Sequence, residues 1–168
     1  MQENHKKFLN HLDKSSDPVF IVARYIYDQG FDVRINALQK AKRHADWKKY
    51  QDDGDIYMYK VLDVYRIEGK QYSKDFTGSH DYPFQNVLIC AKHSYDNATP
   101  KPYAYMLLNK NRTHMGIVNT ETFPDWKTIT IKDSRYDNYK QQTYAIEPTK
   151  IKWVSLNNKG ESNDNKGL

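Results

Sequence analysis

The chain has 168 residues, the span of one ordinary domain, and its aromatic content of 14% is too high for a chain that stays unfolded. A formal net charge of +5 and a pI near 9.1 favour a polyanionic partner, because basic surface concentrates phosphates around it. The single cysteine, Cys90, excludes both an intrachain disulfide and a cysteine-built zinc site within one chain.

At the start, Met1 to Lys7 lacks the apolar stretch of a signal peptide, and no run approaches the ~18 apolar residues of a membrane span. A cytoplasmic protein without membrane contact is expected. Ser15-Ser16-Asp17-Pro18 then places capping residues before a proline that tolerates the first helical turn. Val19, Val22, Tyr25 and Ile26 recur at helical spacing, so a helix is expected over 18–29. Gly30 stands where a left-handed cap belongs, and 31–35 alternates like a strand.

From Ala37 to Gln51 the chain is basic, with Lys40, Lys42, Arg43, Lys48 and Lys49 against one acid, Asp46, and with Trp47 and Tyr50 interleaved. Such a stretch suits a phosphate backbone, with an aromatic ring stacking on an exposed base; it equally suits a solvated surface with Trp47 tucked into the core. Asp52-Asp53-Gly54 signals a turn, and 56–67 reads as strand, bent into a hairpin near Asp63.

Residues 75–83 form a loop by composition, and 86–91, Asn-Val-Leu-Ile-Cys-Ala, is the continuous apolar run of a strand buried on both faces. We expect it to be the central strand, with Val19, Val22 and Ile26 packing the helix against it. Lys92 and His93 close this run, where sheet ends often carry sites. They are candidates for accessory roles at a phosphate, although a histidine in such a place is more often a hydrogen-bonded structural residue. Two strands are expected at 103–108 and 115–118, joined through Asn109 to Arg112, and shorter ones at 126–131, 144–146 and 151–156. The domain is expected to occupy 1–156, with a disordered tail over 157–168.

Chemistry concentrates in Asp55 and in Glu68-Gly69-Lys70. Strand alternation puts Glu68 and Lys70 on one face. Two converging carboxylates, with the Gly69 carbonyl, make an oxygen donor set for Mg²⁺ or Mn²⁺, and Lys70 would orient water and offset charge on a phosphate. A competing assignment makes Glu68-Gly69-Lys70 a hairpin turn with both charges in solvent.

A helix, a strand, Gly54-Asp55, Glu68-Gly69-Lys70 and an apolar strand, in that order, resemble the PD-(D/E)xK nuclease superfamily, especially its small phage-type members. The resemblance covers roughly 18–118. It implies an α/β (α+β) restriction-endonuclease-like domain, with a central mixed β-sheet flanked by helices. It also implies Asp55 and Glu68 as metal ligands and Lys70 as the catalytic lysine, acting on nucleic acid, with DNA favoured over RNA. Cutting both strands of a duplex with one site per chain would favour a homodimer. A non-catalytic nucleic-acid-binding factor and a tyrosine-rich protein-binding inhibitor are the rival functions. Spacing for a zinc site, a Walker loop or a serine-hydrolase elbow is absent.

Overall fold

The computed structural model describes residues 17–36, 55–60, 63–133 and 139–157. These residues form a mixed α+β structure in three layers. The first is helix α1, over 17–28, whose Val19, Val22, Ala23 and Ile26 are buried along one stripe. Gly30 ends it at φ +87, donating its N–H to the Tyr27 carbonyl.

The middle layer is a six-stranded sheet in the order β1-β2-β3-β5-β6-β9. Its strands are β1 (Asp32–Ile35), β2 (Ile56–Lys60), β3 (Asp63–Gln71), β5 (Ala104–Leu108), β6 (His114–Asn119) and β9 (Lys152–Ser155). All pairs are antiparallel except β3 with β5. Between these two the chain crosses over through β4 (Val87–Ala91) and the short helix α2 (Lys92–Asn97). The third layer is the antiparallel sheet β4-β8-β7, with β7 at Lys127–Asp133 and β8 at Tyr139–Ile146.

Alternation divides the middle sheet between two cores. Ile56, Met58, Ile67, Ala104, Met106, Leu108, Met115 and Ile117 face α1, whereas Tyr105, Leu107 and Val118 face Val87, Ile89, Tyr144 and Ile146 of the second sheet. β5 is therefore buried at every position. The approach of α1 is close: a Cβ on Gly69 would lie 3.6 Å from Val22 Cγ2 and 3.7 Å from Val19 Cα.

Several expectations agree with this architecture, including the helix, the strand after Gly30 and the hairpin, which closes between Lys60 and Asp63. One does not. The run 86–91 is an edge strand of the second sheet, paired among the described residues only with β8. Helix α1 packs on the opposite face of the middle sheet, so it does not touch that strand as expected. Both runs, 87–91 and 104–108, are short and apolar, and only their partners distinguish them. The helix after 86–91 has 6 residues, fewer than two turns, and buries none of them. The basic residues Lys40, Lys42, Arg43, Lys48 and Lys49 and the tail 158–168 lie outside the described residues. Among the described residues no helix is long and apolar enough to cross a membrane.

Truncating Ile26, fully buried under the middle sheet, removes contacts the helix cannot replace. Ile26→Ala should cost about 2–5 kcal/mol in urea unfolding, and a loss below 1 kcal/mol would contradict this packing. The loop before β4 supplies a pH-dependent contribution. Burial opposes the Asp81 charge, but hydrogen bonds from Thr77 N (2.8 Å), Gly78 N (2.9 Å) and Thr77 Oγ1 (2.9 Å) outweigh it, holding the carboxyl at about 2, below its ordinary 3.8. The folded value is the lower one, so this stabilisation is complete above the ordinary value and is lost as pH falls through about 2. The stability difference between the parent and Asp81→Asn should shrink over that interval, and parallel acid-unfolding curves would exclude the contribution.

Candidate active site

β3 extends beyond its partner β2. Among the described residues, pairing runs from Lys60–Asp63 to Ile56–Ile67, and 68–71 have no partner in β2. Asp55, the residue before β2, reaches this stretch: its Oδ2 accepts the Gly69 N–H at 3.0 Å. A residue in an extended strand directs its N–H and C=O to the same side, so the Gly69 carbonyl also faces the Asp55 edge. The Asp55 backbone is fixed as well, its carbonyl accepting the Asn36 N–H at 3.1 Å. Asn36 and Asp55, far apart in sequence, thus meet at this edge of the sheet.

Glu68-Gly69-Lys70 is continuous strand, not a hairpin turn. Arg66, Glu68 and Lys70 alternate onto the face opposite α1, toward the second sheet. Charges on this face are largely withdrawn from water. Arg66 is 7% exposed and Glu68 8%. The guanidinium places both Nε and Nη2 2.8 Å from Glu68 Oε1, and its Nη1 is 3.5 Å from the Pro100 carbonyl.

Lys70 reaches the second sheet. Its Nζ donates to the Ile89 carbonyl at 2.8 Å and lies 5.3 Å from the centre of the Tyr105 ring. Register between β4 and β8 shifts between Leu88 and Cys90, so Ile89 sits in a bulge whose carbonyl Lys70 takes up. The Tyr72 hydroxyl donates to the adjacent Leu88 carbonyl. Burial drives the Tyr72 and Tyr105 phenols upward and also raises the Cys90 thiol. Buried and held toward its neutral form, Cys90 is a structural residue rather than a nucleophile.

Asp55, Glu68, Gly69 and Lys70 thus belong to one stretch of sheet edge. Lys92 and His93 lie at the start of α2, where the Lys92 ammonium pairs with Asp96 and His93 is exposed. Arg66 is the residue that sequence reasoning missed. Its position two before Glu68 was the available signal, since alternation places 66, 68 and 70 on one face. Among the described residues no cluster of three or more His, Cys, Asp or Glu side chains is suited to a metal. A cation here would rest on two carboxylates, with waters and substrate completing its shell, a mode Mg²⁺ often adopts. No family model, curated protein or solved structure matches the chain.

Removing the guanidinium would leave Glu68 charged and buried. Arg66→Met should therefore destabilise by about 3–5 kcal/mol, and the double change Arg66→Met/Glu68→Leu should restore most of that loss. A single variant as stable as the parent in urea would show that the pair is not buried as described.

Proposed function

We propose that the chain is a metal-dependent nuclease that hydrolyses phosphodiester bonds, DNA before RNA, with Asp55 and Glu68 as cation ligands and Lys70 acting on the reacting phosphate. The observation that carries this reading is the 3.0 Å bond from Gly69 N to Asp55 Oδ2. It joins the aspartate to the middle of Glu68-Gly69-Lys70, across 14 residues of sequence. The order of α1, β2 and β3 is also the one the PD-(D/E)xK resemblance implies.

The donor set of two carboxylates and the Gly69 carbonyl suits a hard divalent cation. Mg²⁺ or Mn²⁺, when bound, would supply Lewis acidity and neutralise phosphate charge. The protein's own part is positional. Asp55 is oriented by a backbone N–H, and Lys70 brings an ammonium to the same strand face as Glu68. Arg66 has to yield Glu68 before that carboxylate serves a cation, so the guanidinium competes with the metal.

This same Arg66–Glu68 pair supports a second reading, a factor on this fold that binds nucleic acid or a protein without cutting. A buried carboxylate already neutralised by arginine is a stable end point in its own right. Plasmid and single-stranded DNA incubated with Mg²⁺, Mn²⁺ or EDTA separate the two. Nicking abolished by EDTA is expected, with Lys70→Ala slower by about two orders of magnitude while DNA binding in Ca²⁺ persists. Salt-sensitive DNA retention without cleavage under any divalent ion would transfer the assignment to the binding factor.

A further inference from the structure

The β7–β8 hairpin places two lysines directly opposite each other, Lys132 against Lys140. Both are exposed, and among the described residues neither ammonium has an acidic partner. Like charges at facing positions, with Cβ atoms about 5 Å apart, oppose pairing. Two ammoniums on one exposed face favour an anion there.

That face is continuous with other features. Tyr144, Gln142 and Lys140 alternate onto one side of β8, with Thr128, Thr130 and Lys132 opposite them on β7. A groove of about 330 Å³ runs between α2 and β8, lined by Lys92, His93, Asp96, Lys140, Gln141 and Gln142. Asp96 adds little repulsion, because its carboxylate is engaged by Lys92 and by the Tyr144 hydroxyl at 2.9 Å. Next to Tyr144 lies Phe123, 40% exposed, its ring 5.5 Å from that of Tyr144 and stacked at 5.2 Å on Tyr95. Lysines, glutamine amides and threonine hydroxyls are the groups that grip phosphates, and an exposed ring braced by other aromatics offers a face for an unpaired base.

We infer that this face is a track for single-stranded nucleic acid, with Lys132 and Lys140 on its phosphates and Phe123 stacking on a base. The inference rests on the reading of the chain as acting on nucleic acid and specifies the form of the substrate. Its position suits that role. Lys92, in the lining of the groove, is three residues beyond the Ile89 carbonyl that Lys70 holds, at most about 10 Å of chain. A strand lying in the track would therefore lead toward the candidate site.

Fluorescence anisotropy of labelled oligothymidine, in EDTA so that no cleavage intervenes, tests the track. Lys132→Ala/Lys140→Ala should bind about tenfold more weakly or worse, and the slope of log K against log salt should flatten by about 1.4, at 0.7 per lost contact on a single strand. Phe123→Leu, which keeps apolar packing but removes the π face, should weaken oligothymidine binding about fivefold or more and leave duplex binding unchanged. Thermal melting of both variants at the parent's temperature or above confirms that they fold. An unchanged salt slope in the double lysine variant overturns the proposal, as does an unchanged oligothymidine affinity in Phe123→Leu. Polyglutamate competing as well as oligothymidine would also overturn it, assigning the face to an acidic protein instead. Intact binding with no nicking would reject the nuclease reading alone, and undiminished cleavage of single-stranded DNA after loss of the track would reject the track alone.

Discussion

β3 and β5 are covered on both faces, by α1 on one side and by the β4-β8-β7 sheet on the other, and most of the molecule's particular features follow from that double covering. For β5 the solution is apolar throughout. β3 cannot use it, because alternate positions carry Arg66, Glu68 and Lys70. Three charged side chains facing a second layer have to satisfy one another or the backbone of that layer, since an unpaired buried charge is strongly destabilising. The guanidinium therefore closes on Glu68, and Lys70 crosses to the Ile89 carbonyl.

The second layer is shaped to receive these groups. The bulge in β4 leaves the Ile89 carbonyl available to Lys70, and the Tyr72 hydroxyl takes the carbonyl next to it. The crossover that makes β3 and β5 parallel is thus anchored by polar side chains of β3 as well as by the apolar contacts of Val87 and Ile89. At the opposite edge β3 runs past the described part of β2, and the Asp55 carboxylate accepts the Gly69 N–H there. β3 therefore carries both residues that stabilise the crossover and residues proposed to act on a phosphate.

These two roles pull against each other. A group that completes a buried hydrogen-bond network is held in one position, whereas a ligand for a cation or substrate must exchange partners. Arg66 lies where this conflict falls. Paired with Glu68 it supports the fold, and the proposed cation would need that carboxylate released from it. The β7–β8 face carries no such conflict, since Lys132 and Lys140 are exposed and complete no network among the described residues.

By itself the sequence determined α1, most of the strands and the motif, but neither α2 nor the first half of β8. Helical spacing of Val19, Val22 and Ile26, the glycine after them and the alternation of the strands are local signals, and they survive into the fold because each is written within a few residues. The shared face of Glu68 and Lys70 was equally legible, because it depends only on the period of an extended chain. Tertiary structure alone decided which apolar run lies in the middle sheet. Burial of 87–91 and 104–108 looks the same in sequence, but one run pairs with β3 and β6 and the other with β8. It also decided that Arg66 neutralises Glu68, that Lys70 is claimed by a carbonyl from β4, and that Lys132 faces Lys140. Those partners depend on strand order and register, which long-range pairing fixes and no local pattern encodes.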